Sequence, residues 1–160
     1  MSRVVLSLGS NVGDRLGHLQ GAVDALRPFL LAVSPVYETD PVGPVPQADY
    51  LNAVLMAQDS GDAGGWLDRS QALERAAGRV RSQRWGPRTL DVDLIVVADL
   101  ISADAALTLP HPRAYERAFV LVPWLDIDPD AVLPGHGAVR DLVAGLDTSG
   151  IQPAPGLVLR

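Results

Sequence analysis

The sequence predicts an α+β fold built on a βαββαβ core, and three observations predict it. Short runs of β-branched and aliphatic residues alternate with two longer segments whose apolar residues recur at helical spacing. Their order along the first two thirds of the chain is strand, helix, strand, strand, helix, strand. The Gly- and Pro-rich stretches fall between these segments rather than inside them. That order points to a ferredoxin-like split βαβ arrangement, a mostly antiparallel sheet with both core helices on one face. The C-terminal third is expected to cover the other face, which places helices on both faces in an α/β/α sandwich.

Val4 to Leu8 is a short aliphatic run and reads as a buried strand, and "GSNVGD" follows as a turn. A helix is expected from about Asp14 to Phe29: Leu16, Leu19, Val23 and Leu26 repeat at helical spacing, and Asp14 suits the positive end of the helix dipole. Leu30 to Thr39 reads as the second strand. "DPVGPVPQAD" is too rich in Pro and Gly for regular structure and is a loop. Leu51 to Gln58 is the third strand. "SGDAGG" breaks the chain and starts a second helix, one face of which is marked by Trp66, Ser70, Leu73, Ala77 and Val80. Leu90 to Ala98 is the fourth strand. Beyond it come a loop, a short helix from about Arg113, a helical turn near Val139 to Ala144 and a Pro/Gly-rich tail.

The 160 residues suit one domain spanning 1–160, large enough to bury a core, and 48% hydrophobic content argues against disorder. There is no apolar run long enough to span a membrane and no signal-peptide pattern at "MSRVVLSLGSN", so a cytoplasmic protein without membrane attachment is expected. Without cysteine there is no disulfide, thiol nucleophile or cysteine zinc site. Without lysine there is no Walker A lysine and no Schiff base. HExxH, GxSxG and GxGxxG patterns are also missing. The net charge of −6 argues against nonspecific nucleic-acid binding, so no nucleic-acid partner is expected.

Within this acidic chain, "GRVRSQRWGPRTLDVDLIV" gathers Arg79, Arg81, Arg84 and Arg88 just before Asp91 and Asp93. The two aspartates lie two apart on a predicted strand, so both emerge from one face about 7 Å apart, while Leu90, Val92, Leu94 and Val96 point the other way into a core. A hard divalent cation such as Mg²⁺ would give two neighbouring carboxylates a common partner. The alternative is the solvated polar face of an edge strand. The adjoining arginines favour the first reading, because carboxylate pair, cation and arginine cluster together suit a nucleotide polyphosphate. His111 sits between prolines in "PHPR", with a structural role or a phosphate contact open to it; His18 and His136 read as surface or packing residues.

"RWGPRTLDVDLI" resembles the signature of 6-hydroxymethyl-7,8-dihydropterin pyrophosphokinases of folate biosynthesis, and "LGSNVGDR", "YETDPVGP", "DYLNAV", "LERAAGRVR" and "LPHPRAYERAFVLVP" resemble the same family in order and spacing. The resemblance covers most of the chain and implies a ferredoxin-like fold. It implies transfer of the β,γ-diphosphate of ATP to the pterin hydroxymethyl group with release of AMP. It implies two Mg²⁺ ions held by Asp91 and Asp93, with Asp91 also close to the pterin hydroxymethyl. Arg79 and Arg88 would meet the β and γ phosphates, and Arg81 and Arg84 would belong to a mobile loop closing over ATP. Glu74, Leu94, Thr108, His111 and Arg117 match ATP-contacting positions. Tyr50 and Phe119 match the pair that stacks on the pterin, Asn52 and Thr39 its edge readers, with backbone around Val42 helping and Trp85 closing over the ring. The partners implied are ATP and a dihydropterin, and a monomer is expected. Pro112 and Ala106 depart from residues some members carry, and no general base stands out. A non-catalytic ferredoxin-like binding or regulatory module, and a metal-dependent kinase releasing ADP, are the competing functions.

Overall fold

The computed structural model describes residues 1–78 and 88–160. The expectations placed on Arg79, Val80, Arg81, Arg84 and Trp85 lie outside the described residues.

The first strand, β1 (Ser2–Ser10), leads through a turn into α1 (Arg15–Leu26). Asp14 is the cap of this helix rather than its first residue: its carboxylate accepts from the Gly17 N–H at 3.0 Å, satisfying a donor the first turn leaves open. The expected run to Phe29 ends early. Leu26 closes the α-helix, and Arg27–Phe29, which contains Pro28, continues as one 3₁₀ turn. The expected second strand is two strands, β2 (Leu30–Val33) and β3 (Tyr37–Thr39), both paired with β4 (Tyr50–Asp59). Pro35 has no N–H to give a ladder, and the Ser34 hydroxyl replaces the lost bonding by accepting from the Val54 N–H at 2.8 Å.

The second helix, α2 (Ala63–Ala76), is capped by Asp62, and β5 (Asp91–Val97) follows. A hairpin of β6 (Ser102–Asp104) and β7 (Leu107–Leu109) precedes a 3₁₀ turn at Ala114–Glu116. The helix expected from Arg113 is this turn followed by α3 (Ala118–Ile127). A small hairpin, β8 (Val132–Leu133) with β9 (Gly137–Ala138), which the sequence did not announce, leads into α4 (Val139–Ala144), the expected helical turn. The tail is not wholly irregular: β10 (Ile151–Pro153) pairs with β3.

The main sheet runs β10-β3-β4-β1-β5, with β2 also on β4, and every pairing is antiparallel. In terms of the core units this is the split βαβ order that the sequence predicts. One face carries α1 and α2 over Val4, Leu6, Leu8, Leu51 and Leu55. The other carries α3 and α4, with Val120, Leu121, Trp124 and Val139 over Val5, Val54 and Met56. Each such side chain contributes roughly 1.5–3 kcal/mol when fully buried.

One pattern expectation fails on β5. Leu90, Val92 and Leu94 join the core under α1 and α2, but Val96 joins the other core together with Ile95. The ladder with β1 slips there, Leu6 pairing Leu94 while Val5 pairs Val96, so Ile95 is an extra residue. Such a bulge resets the alternation. Asp91 and Asp93 lie before it and keep the regular register, on the α3 face of the sheet.

Candidate active site

The same alternation that buries Val5 and Val54 beneath α3 carries Ser7, Gly9, Tyr50 and Asn52 out beyond the start of that helix, on the same face. Across the strands the register aligns Tyr37, Asn52, Gly9 and Asp91 in one row and Val54, Ser7 and Asp93 in the next. Asn52 and Asp91 are two strand spacings apart, about 10 Å. Gly9 between them has no side chain, and a Cβ there would lie 2.7 Å from Asn52 Oδ1 and 3.3 Å from Tyr50 Cδ2. The glycine therefore lets the Asn52 and Tyr50 side chains lie over the row's centre, with polar groups at both of its ends. Asn52 is buried and donates from Nδ2 to Thr39 Oγ1 at 2.5 Å, so the two expected edge readers are locked to each other.

Two clefts border the ends of this row, one through Thr39, which Asn52 bonds, and the other through Asp91 and Asp93. The first, of about 310 Å³, is lined by Thr39, Val42, Arg117, Phe119, Asp147 and Gly150 among others. Tyr50 and Asn52 are not in its lining, but Asn52 is bonded to Thr39, which is. The second, of about 330 Å³, lies along the open edge of β5 and is lined by Glu74, Asp91, Asp93, Leu94, Thr108 and His111. All the described residues expected to meet ATP line it except Arg88 and Arg117. Glu74 is buried, and its Oε2 accepts from the Val92 N–H at 3.0 Å. That bond satisfies an edge-strand donor between the two aspartates and holds their strand to α2. Leu94 borders the cleft while its side chain packs in the core. Thr108 donates its hydroxyl to the Asp104 carbonyl at 3.0 Å within the hairpin.

His111 is fixed from two sides. Its N–H donates to the Ile95 carbonyl at 2.8 Å, and its Nδ1 accepts from the Arg113 N–H at 3.2 Å. Burial, and then the nearby Arg117 charge, pull its pKa down to about 4, with Asp91 acting in the opposite sense. The neutral ring therefore carries its proton on Nε2 and offers a donor there. Arg117 stands at the junction of the clefts. Its Nη1 is 3.6 Å from Asp93 Oδ2, and its Cζ is 5.5 Å from the centre of the Phe119 ring. Of the remaining histidines, His136 stacks on Tyr115 with ring centres 4.8 Å apart, a packing role.

The reading of the sequence assigned nothing to Asn11, which ties the site together. Its Nδ2 donates to Gln47 Oε1 at 2.8 Å and to the Ala48 carbonyl at 2.9 Å, and its Oδ1 accepts from the Arg88 N–H at 2.8 Å. Its own N–H donates to the Arg88 carbonyl at 3.0 Å. One buried amide thus joins the loop after Thr39 to the backbone that presents Arg88. A polar residue following a strand that ends in Gly-Ser was the available signal, as was Gly9 itself, since a strand glycine marks a close approach.

The donor set fits a hard cation in part. Asp91 and Asp93 offer carboxylates from one face and both open into the β5-edge cleft. No group of three His, Asp or Glu side chains converges on one point among the described residues. A metal here would take its remaining oxygens from water and phosphate, which is how Mg²⁺ is commonly held.

The sequence profile of the family described as 7,8-dihydro-6-hydroxymethylpterin-pyrophosphokinase (HPPK) matches residues 5–129. Proteins named 2-amino-4-hydroxy-6-hydroxymethyldihydropteridine pyrophosphokinase are similar over most of their length. That of Mycobacterium leprae is 57% identical over 151 residues, covering 88% of this chain and 79% of its own. That of Mycobacterium tuberculosis H37Rv is 52% identical over 150 residues, covering 88% and 80%. That of Pseudomonas aeruginosa is 38% identical over 160 residues, covering 98% and 99%. Among solved structures, Plasmodium falciparum HPPK-DHPS with pteroate superposes with a TM-score of 0.69 at 12% identity, over 89% of this chain. This chain spans 44% of that one, and at such identity the likeness concerns the fold.

Proposed function

The chain belongs to the 7,8-dihydro-6-hydroxymethylpterin-pyrophosphokinase family, and on that premise we propose how its residues divide the work. The reaction is transfer of the β,γ-diphosphate of ATP to the hydroxymethyl group of 6-hydroxymethyl-7,8-dihydropterin, releasing AMP, in folate biosynthesis. This removes the alternative of a non-catalytic ferredoxin-like module.

The observation that carries the division of labour is the row Asn52–Gly9–Asp91, which runs from the residue bonded to Thr39 of one cleft to Asp91 of the other. The pterin lies against the Asn52 and Tyr50 side chains that cover Gly9, its edge read by Asn52 and Thr39 with backbone near Val42, its faces held by Tyr50 and Phe119, and Trp85 closing over it. A flat polar ring gains most from stacking on both faces and directed bonds at one edge. ATP lies along the β5 edge against Glu74, Leu94, Thr108, His111 and Arg117. Arg79 and Arg88 meet the β and γ phosphates, and Arg81 and Arg84 add charge from the segment before them. Asp91 then faces both substrates, at the end of the row where the hydroxymethyl group would sit.

Asp91 and Asp93 would hold Mg²⁺, two ions in the fullest form of this reading. When bound, Mg²⁺ neutralises phosphate charge and acidifies a coordinated hydroxyl. His111 is no general base, because its neutral ring presents N–H to the site. Positioning and fixed charge account for the rate, as in phosphoryl transfer generally. A monomer suffices, since both clefts are built from one chain, and the enzyme works in the cytoplasm, where ATP is at hand. No helix among the described residues is long and apolar enough to cross a membrane.

Incubation with ATP, Mg²⁺ and the hydroxymethyl-dihydropterin should release AMP in step with pterin diphosphate. ADP as the nucleotide product would mean transfer of one phosphoryl group, and no turnover would end the catalytic reading.

A further inference from the structure

We propose that Arg117 is a stand-in cation of the metal-free site, paired with Asp93 until a divalent ion takes that carboxylate. The inference rests on the reading of Asp91 and Asp93 as metal ligands and says what this chain does with them beforehand. The two carboxylates share one face about 7 Å apart, and half-buried like charges at that distance destabilise each other. Arg117 supplies the opposite charge from across the cleft. Its geometry is that of a pair held by charge rather than by a fixed hydrogen bond. The 3.6 Å separation is well beyond the 2.7–2.9 Å of a charge-assisted bond, and Arg117 is not aligned as a fork on both carboxylate oxygens. Both side chains retain some exposure, 18% for Arg117 and 26% for Asp93. A divalent ion entering at Asp93 replaces the single positive charge of Arg117 with a double one, and the contact it breaks with Arg117 is not a short, directed bond.

The displaced guanidinium has a place to go. Phe119 already lies beneath it at 5.5 Å, within the range in which a ring face attracts a cation. His111 already feels its charge. Release from Asp93 frees all five donors of Arg117 at the junction of the two clefts, beside where phosphate oxygens arrive. Arg117 is thus a positioning residue, and the order of events it sets is metal first, guanidinium to phosphate second.

The prediction is opposite to that for a simple phosphate contact and is read without nucleotide. Mn²⁺ is titrated into nucleotide-free protein and followed by electron paramagnetic resonance, for the wild type, Arg117→Gln, Arg117→Lys and Asp93→Asn. Arg117→Gln should bind Mn²⁺ about three- to tenfold more tightly than the wild type, because its competitor is gone, while Arg117→Lys stays near the wild type. Unchanged or weaker binding by Arg117→Gln, with Asp93→Asn losing binding, overturns the stand-in role and leaves the carboxylate reading intact. Binding that Asp93→Asn leaves unchanged, or no binding by any of the four proteins at millimolar Mn²⁺, overturns the metal reading and this inference with it. A cycle on melting temperature in EDTA tests the pair without metal. The loss caused by Arg117→Gln should shrink when Asp93→Asn is also present, and equal losses in both backgrounds would refute the pairing.

Discussion

Two clusters in this protein are made of the same parts, an arginine, an aspartate and aromatic rings, and they are built to opposite ends. On the α1–α2 side, Arg69 Nη1 lies 3.1 Å from Asp59 Oδ2, and its guanidinium covers Phe29 and Trp66 at 4.3 and 4.4 Å. Asp59 accepts also from Trp66 Nε1 at 2.9 Å and the Gly61 N–H at 2.8 Å. Burial pushes the Asp59 carboxyl up, but the bonds from Gly61, Arg69 and Trp66 outweigh it and hold the group below its ordinary range. On the α3 side, Arg117 stands 3.6 Å from Asp93 with one ring 5.5 Å away. The first cluster has its strong donors and acceptors spent on one another. In the second, Arg117 faces Asp93 without a short, directed bond between the two. The difference teaches how to tell an arginine that cements a fold from one that waits for a ligand: the count of short, directed bonds decides, not the residue types.

The largest effects should come from breaking the open cluster. Asp93→Asn and Asp91→Asn should each lower kcat by roughly 10²–10³-fold or more, the scale of removing an oriented electrostatic group from a transition state. Melting temperatures should stay near the wild type, because neither side chain is in a core. Full turnover in either variant would show that the two clusters differ in geometry and not in purpose. Asn11→Ala comes next. It removes the bonds that Asn11 makes to the Arg88 N–H, Gln47 Oε1 and the Ala48 carbonyl, at about 1–3 kcal/mol, and it loosens the Gln47 loop from Arg88. We expect kcat/KM to fall about 10- to 100-fold, with hydrogen exchange faster in residues 45–50. An activity loss without that change in exchange would mean that Asn11 touches substrate itself.

The contrast between these regions also explains what could be read from the sequence. The strand order, the starts of both core helices and the shared face of Asp91 and Asp93 were legible because period and helix-start chemistry are local properties. The break at Pro35 was visible as a proline, but β2 and β3 each repair onto β4 through Ser34, a contact 20 residues away that no local pattern carries. The bulge at Ile95 was hidden because Leu94–Val97 is uniformly aliphatic, and a run without alternation gives no sign of where the register slips. Asn11 was hidden for a related reason. Its partners are 36, 37 and 77 residues distant, and an asparagine in a turn looks the same whether it serves the turn or the site.

Arg69→Met tests the closed cluster. It removes a partly exposed ion pair and stacking on two rings, together about 1–2 kcal/mol. The melting temperature should fall by several degrees while kcat and KM stay within about twofold. A large activity change would mean that the two faces of the sheet communicate, and the sharp division drawn between the clusters would fail.

The smallest expected effect separates the clusters by pH. The open cluster borders a titratable ring, His111, with its pKa lowered from 6.5 to about 4, first by burial and then by Arg117. Between those values the unfolded chain binds a proton that the folded protein refuses. Stability therefore falls as pH drops from about 6.5 toward 4, and is fully present above about 6.5. Allowing for solvent screening of a ring that is not fully enclosed, the loss is on the order of 1–2 kcal/mol. His111→Asn should flatten the dependence of melting temperature on pH in that window, and Arg69→Met should leave it as steep as in the wild type. Arg117→Gln should flatten it only slightly, since burial is the larger cause of the shift. If Arg117→Gln flattened it as much as His111→Asn does, the guanidinium and not the enclosure would be what keeps the ring neutral, and the open cluster would be more tightly coupled than its distances indicate.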